Sequence, residues 1–115
     1  MKQILIYDKK NYFFRYTKKK IDREISFHKF AKKNENSALQ LKKYSGIIFM
    51  AYQEEDIVAF IDLYLLRVPM IVCSENKVLI THYKKIPKIT CIDISQNKND
   101  IFKELELVID LKLLL

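Results

Sequence analysis

The apolar positions of the chain fall in short unbroken runs, set apart by polar turns and by stretches of helical spacing. Gly46-Ile-Ile-Phe-Met50 and Pro69-Met-Ile-Val-Cys-Ser74 are apolar at successive rather than alternate positions, the pattern of strands covered on both faces of a parallel sheet. Gln3-Ile-Leu-Ile-Tyr7 predicts a first strand and residues 89–94 a fifth, while Ile25, Phe27, His28 and Phe30 predict a weaker second strand of edge character. A polar turn, Asp8-Lys-Lys-Asn11, places Asn11 to cap a helix in which Phe13, Phe14, Thr17 and Ile21 share a face and Arg15, Lys18, Lys19 and Lys20 cover the rest. A short helix over 37–41, a third helix over 54–67 and a last helix from Asn99 or Asp100 to the terminus complete five strand–helix units, one of them weak. In the third helix Ile57, Val58, Phe60, Ile61, Leu63, Tyr64, Leu65 and Leu66 surround the axis, which predicts burial on more than one side.

This alternation in 115 residues predicts a single α/β domain over residues 1–115. The expected architecture is flavodoxin-like: a doubly wound five-stranded parallel sheet of order 2-1-3-4-5 with right-handed crossovers. Between strands four and five a fourth helix is due, yet Lys77-Val-Leu-Ile-Thr-His-Tyr83 is rich in β-branched and aromatic residues and Pro87 follows, so that helix is expected to be short or missing. In the last helix Ile101, Leu105 and Val108 form a core stripe flanked by Phe102 and Ile109. Leu107, Leu111 and Leu114, at i, i+4 and i+7, form a second line that packing on one sheet does not require. That line is a candidate interface for a protein partner or a second copy; the alternative is a wide core face ending in a frayed Leu113-Leu114-Leu115.

Charge narrows the function classes. The net charge is +7, but residues 1–50 hold 13 Lys and Arg against 4 acids and residues 51–115 hold 8 against 10. A basic amino-terminal half raises the prior for anionic partners without choosing among them, and Tyr12 and Tyr16 beside Lys18, Lys19 and Lys20 keep nucleic acid as the second possibility. With one glycine in the chain, a glycine-rich phosphate loop is excluded. Two cysteines inside apolar strand runs, Cys73 and Cys91, and two distant histidines, His28 and His82, show no metal-ligand spacing. No metal or cofactor is expected. The longest apolar stretch, 57–66, is interrupted by Asp62 and is about half of a bilayer span, and Met1-Lys2 runs directly into a strand without a signal-type apolar region. No membrane association and a cytoplasmic location are therefore expected.

In a parallel α/β sheet chemistry sits at the carboxyl ends of the strands, which here carry Asp8 with Lys9, Met50, Ser74 and Ser95. Ile4-Leu-Ile-Tyr-Asp8, Tyr44-Ser-Gly-Ile-Ile-Phe-Met50 and Val68-Pro-Met-Ile-Val-Cys-Ser74, in that order and spacing, resemble the receiver domain of bacterial response regulators. The resemblance implies a pocket with two acids after strand one, a phospho-accepting aspartate at the end of strand three, a hydroxyl after strand four and a lysine after strand five. In this chain the first acid is Asp8, the second position is Lys9, the acceptor position is Met50, the hydroxyl is Ser74, and the region after strand five, Asp93-Ile-Ser95-Gln-Asn97, has no lysine. Magnesium requires hard oxygen ligands and methionine cannot accept a phosphoryl group. The expectation is a pseudo-receiver: a signalling or scaffold domain that binds protein independently of phosphorylation and has no catalytic activity. A small basic nucleic-acid-binding protein is the alternative.

Overall fold

The computed structural model describes residues 2–10, 25–30, 43–95 and 98–113. Its five strands are β1 (Lys2–Tyr7), β2 (Ile25–Lys29), β3 (Gly46–Met50), β4 (Met70–Ser74) and β5 (Ile89–Asp93). They form an all-parallel sheet in the order β2-β1-β3-β4-β5, a flavodoxin-like arrangement. Three described helices follow β3, β4 and β5: α1 (Asp56–Tyr64), α2 (Lys77–Tyr83) and α3 (Lys98–Val108), the last continued by a π-helical turn, Ile109–Leu113. The expected helices over 13–21 and 37–41 lie outside the described residues, as does the Asn11 cap.

The unbroken apolar runs have the cause expected of them. Successive strand residues point to opposite faces, and both faces are covered. Ile4, Ile6, Ile48, Met50, Ile71, Cys73 and Ile92 pack with Ile101, Leu105, Ile109 and Leu113 of the last helical segment. Leu5, Ile47, Phe49, Ala51, Met70 and Val72 pack on the other face with Phe60 and Leu63 of α1, with Leu66 just after it, and with Leu79 and Tyr83 of α2. Phe49 centres an aromatic cluster there, stacked on Tyr7 at 4.6 Å between centroids and edge-on to Phe60 at 5.6 Å.

One sequence expectation and one alternative need correction. The apolar surface of the third predicted helix is not buried on more than one side: α1 buries Phe60 and Leu63 but leaves Val58, Ile61 and Leu65 67, 48 and 69 % exposed. Leu113, which only the alternative reading of the last helix would fray, is buried against Gly46, where a Cβ on the glycine would lie 2.6 to 2.8 Å from three carbons of the leucine side chain. The π-helical turn swings Leu113 onto the line of Ile101, Leu105 and Ile109, so the only glycine of the chain serves as the seat of the last helical segment. The segment after β4 is a short helix, α2, of seven residues. Its β-branched composition is overridden by Asn76, which accepts from the backbone N–H groups of Val78 and Leu79 at 2.9 and 3.2 Å, and by burial of Leu79, Ile80 and Tyr83. Among the described residues, no helix is long and apolar enough to cross a membrane.

Candidate functional site

The carboxyl edge of the sheet gathers two buried carboxylates and the groups that satisfy them. Asp8, the residue after β1, is only 3 % exposed; its Oδ1 accepts from the Lys10 backbone N–H at 3.2 Å and from the Tyr52 hydroxyl. Tyr52 stands two residues beyond β3, and the Lys10 ammonium lies 4.8 Å from its ring centroid. Burial, and then the hydrogen bond to Asp8, push the Tyr52 hydroxyl far above its ordinary range, so it stays a proton donor. Asp56, in the first turn of α1, is 4 % exposed. Its Oδ2 accepts from the backbone N–H groups of Tyr52 and Gln53 at 2.7 and 2.9 Å, and its Oδ1 lies 2.7 Å from the Lys9 ammonium. Burial alone would raise the Asp56 carboxyl, but Lys9 and the two amides outweigh it and hold the group below the usual carboxylate range. The same pairing raises Lys9.

Lys9 and Asp8 are neighbours in sequence yet serve different partners. Asp8 anchors the loop after β3 through Tyr52, and Lys9 anchors the start of α1 through Asp56, so the β1 and β3 ends are tied twice. Met50, at the expected acceptor position, is buried with Ile48 and Leu105 in the α3-side core. Ser74 ends β4 and is buried; its hydroxyl donates to the Ala51 carbonyl at 2.6 Å and its Oγ accepts from the Asn76 backbone N–H at 3.1 Å. It thus closes the β3 and β4 ends and starts the turn into α2. Ser95 is exposed and turned to Asp93, donating its hydroxyl and its N–H to Oδ1 at 2.6 and 2.9 Å. These bonds hold the Asp93 carboxyl below its ordinary value.

Of the expected pocket residues, the structure therefore joins Asp8 and Lys9 to one polar cluster, gives Ser74 a structural partner beside it, and leaves Ser95 in a separate turn. Tyr52 and Asp56 were missed. The usable signal was Asp56 itself, an acid at the start of a helix that follows a strand-end loop. Cys73, next to Ser74, is fully buried, and burial raises its thiol strongly.

The receiver resemblance implies magnesium, and these residues do not fit it. Magnesium is usually held by carboxylates that retain room for several waters. Here one Asp56 oxygen carries an ammonium, the other carries two amides, and Oδ1 of Asp8 carries a phenol and an amide. Among the described residues, no cluster of three His, Cys, Asp or Glu side chains could hold a metal ion.

The second candidate surface lies on α3. Leu107 and Leu111 are 57 and 54 % exposed on the side away from Ile101, Leu105 and Ile109. Leu114 lies outside the described residues, as do Tyr12, Tyr16 and the run Lys18 to Lys20. Comparison with protein-family models, with curated proteins and with solved structures finds no match.

Proposed function

We propose that this chain is a degenerate receiver domain, a phosphorylation-independent protein-interaction module without catalytic activity that docks a partner through the outer line of α3. The carrying observation is the Lys9–Asp56 ion pair at the end of β1, where the resemblance asks for a second acid and a metal. An ammonium held 2.7 Å from a buried carboxylate supplies positive charge at this edge of the sheet without a metal. With Met50 packed into the core and the Ser74 hydroxyl committed to the Ala51 carbonyl, neither of these two positions is set up to accept a phosphoryl group. Metal, acceptor carboxylate and charge stabiliser act together in aspartyl-phosphate chemistry, so these replacements favour a fixed module over a weakened switch. Leu107 and Leu111 give it an apolar contact surface.

Intact-mass spectrometry and sedimentation velocity after incubation with Mg²⁺ and acetyl phosphate test this reading. The expected result is an unmodified mass and an unchanged sedimentation profile. A stoichiometric, base-labile phosphoryl adduct on an aspartate, or association that changes with it, contradicts the reading.

A further inference from the structure

Of the seven large hydrophobic residues left exposed among the described residues, four lie on or at the end of α1, which makes its outer face the main apolar surface in contact with water. Val58, Ile61 and Leu65 follow one another in steps of three and four residues and so form a single line along the helix, with Ile57 beside it. An apolar face of this kind, on the order of a few hundred Å², marks an interaction site more often than free surface.

The charges around the line identify the occupant. Glu54 and Glu55 are exposed at the amino-terminal end of α1, and the same helical line runs through Glu54. At the other end Arg67 and Lys88 are exposed and, with Leu65, line a cavity of about 580 Å³. Both cations stand at left-handed backbone positions, φ 61° and 66°, where glycine would be unstrained. The face thus reads acid, apolar, base along residues 54–67, a span of ~20 Å at helical rise. Such a surface is complementary to itself when turned end for end. An isologous contact demands this property, and antiparallel helices also oppose their dipoles favourably.

We propose that a second copy of this chain docks on α1, antiparallel across a twofold axis near Ile61. In this dimer Val58, Ile61 and Leu65 of the two copies cover one another. Glu54 and Glu55 of each copy meet Arg67 and Lys88 of the other at the mouth of the cavity. Asp62 lies to one side of the line, at the rim, where water screens it. This surface is distinct from the outer line of α3 and does not depend on what the strand-end pocket does.

Charge exchange tests the arrangement. Two variants of the full chain, one carrying Glu54→Lys and Glu55→Lys, the other Arg67→Glu and Lys88→Glu, are studied alone and mixed by sedimentation velocity and native mass spectrometry at low salt. The wild type is expected to dimerise, each variant alone to associate at least tenfold more weakly, and the equimolar mixture to recover a heterodimer. Ile61→Lys, which sets two like charges together at the twofold axis, is expected to give a folded monomer by circular dichroism, and Leu107→Lys with Leu111→Lys to leave this dimer intact. A monomeric wild type, variants that self-associate like the wild type, or a mixture that recovers no heterodimer overturns the proposal. Loss of the dimer in the α3 double variant alone moves the self-association to α3 and equally overturns it, while leaving the docking role of α3 standing.

Discussion

Asp56 holds the start of α1 to the ends of β1 and β3, and its removal should be the costliest change of a single charge in the strand-end cluster. Asp56→Ala deletes a carboxylate that accepts two backbone N–H groups at 2.7 and 2.9 Å and pairs with Lys9 at 2.7 Å. Hydrogen bonds to a charged acceptor contribute about 1.5–3 kcal/mol each, but the freed loop amides regain some water. The Lys9 side chain is 36 % exposed, so the ion pair itself adds no more than about 1 kcal/mol. The relieved cost of keeping the carboxylate dry offsets part of the loss, which leaves a net destabilisation of about 2–3 kcal/mol for Asp56→Ala. Asp56→Asn keeps a neutral carbonyl for the amides and should cost about 1–2 kcal/mol, and Lys9→Met about 1 kcal/mol or less.

Urea unfolding followed by circular dichroism measures all three. The pH dependence fixes the sign. Because folding lowers the Asp56 carboxyl, its contribution is fully present above the ordinary carboxylate value near pH 4 and is lost as pH falls through the lower folded value. The gap between wild type and Asp56→Ala should therefore be widest at neutral pH and close in acid. The raised Lys9 group acts in the opposite direction: its contribution is present below its ordinary value and lost only in strong base. An Asp56→Ala protein within about 0.5 kcal/mol of wild type at neutral pH, or a gap that does not narrow in acid, refutes this reasoning.

Gly46→Ala should destabilise by about 1–2 kcal/mol by displacing Leu113. Leu113→Ala in the same chain should recover part of that loss, so strictly additive effects in a double-mutant cycle count against the close contact. Leu107→Lys with Leu111→Lys should retain a cooperative unfolding transition, because both side chains are more than half exposed; loss of that transition in thermal melts would mean that they belong to the core. Cys73 should be alkylated only through unfolding, its thiol being buried and raised, whereas the half-buried Cys91 should react sooner. Equal rates for the two by peptide mass mapping would contradict the packing described.

The fold was legible because its strands are simple. Gly46 to Met50 and Met70 to Ser74 are covered on both faces, and two-sided burial writes itself as an unbroken apolar run. The edge position of β2 was legible for the complementary reason, that only Phe27 of its residues is buried. Helix surfaces were less readable. The pattern of α1 is apolar on every side, and periodicity cannot say which side a sheet will cover; the solvent line of Val58, Ile61 and Leu65 emerges only from the packing. The burial of Leu113 could not be read because a π-helical turn shifts side-chain phase and so escapes a 3.6-residue period. At the site, Asp8 and Lys9 were found from strand-end position, but Tyr52 and Asp56 were not. Tyr52 is 44 positions from Asp8 and Asp56 lies 47 beyond Lys9, and a pairing across two strand ends leaves no local spacing to read.

If Lys9, held on Asp56, makes the strand-end cluster self-sufficient in charge, the cluster has no use for magnesium. Amide resonances of Asp8, Lys9, Tyr52, Gln53 and Asp56, followed by nitrogen–proton correlation spectra during titration with Mg²⁺ and then with acetyl phosphate, report on it directly. No saturable change is expected at these amides in wild type, beyond the small uniform drift that added salt produces at exposed positions. Saturable, clustered shifts at Asp8 and Asp56 with millimolar Mg²⁺, extended by acetyl phosphate, would contradict it.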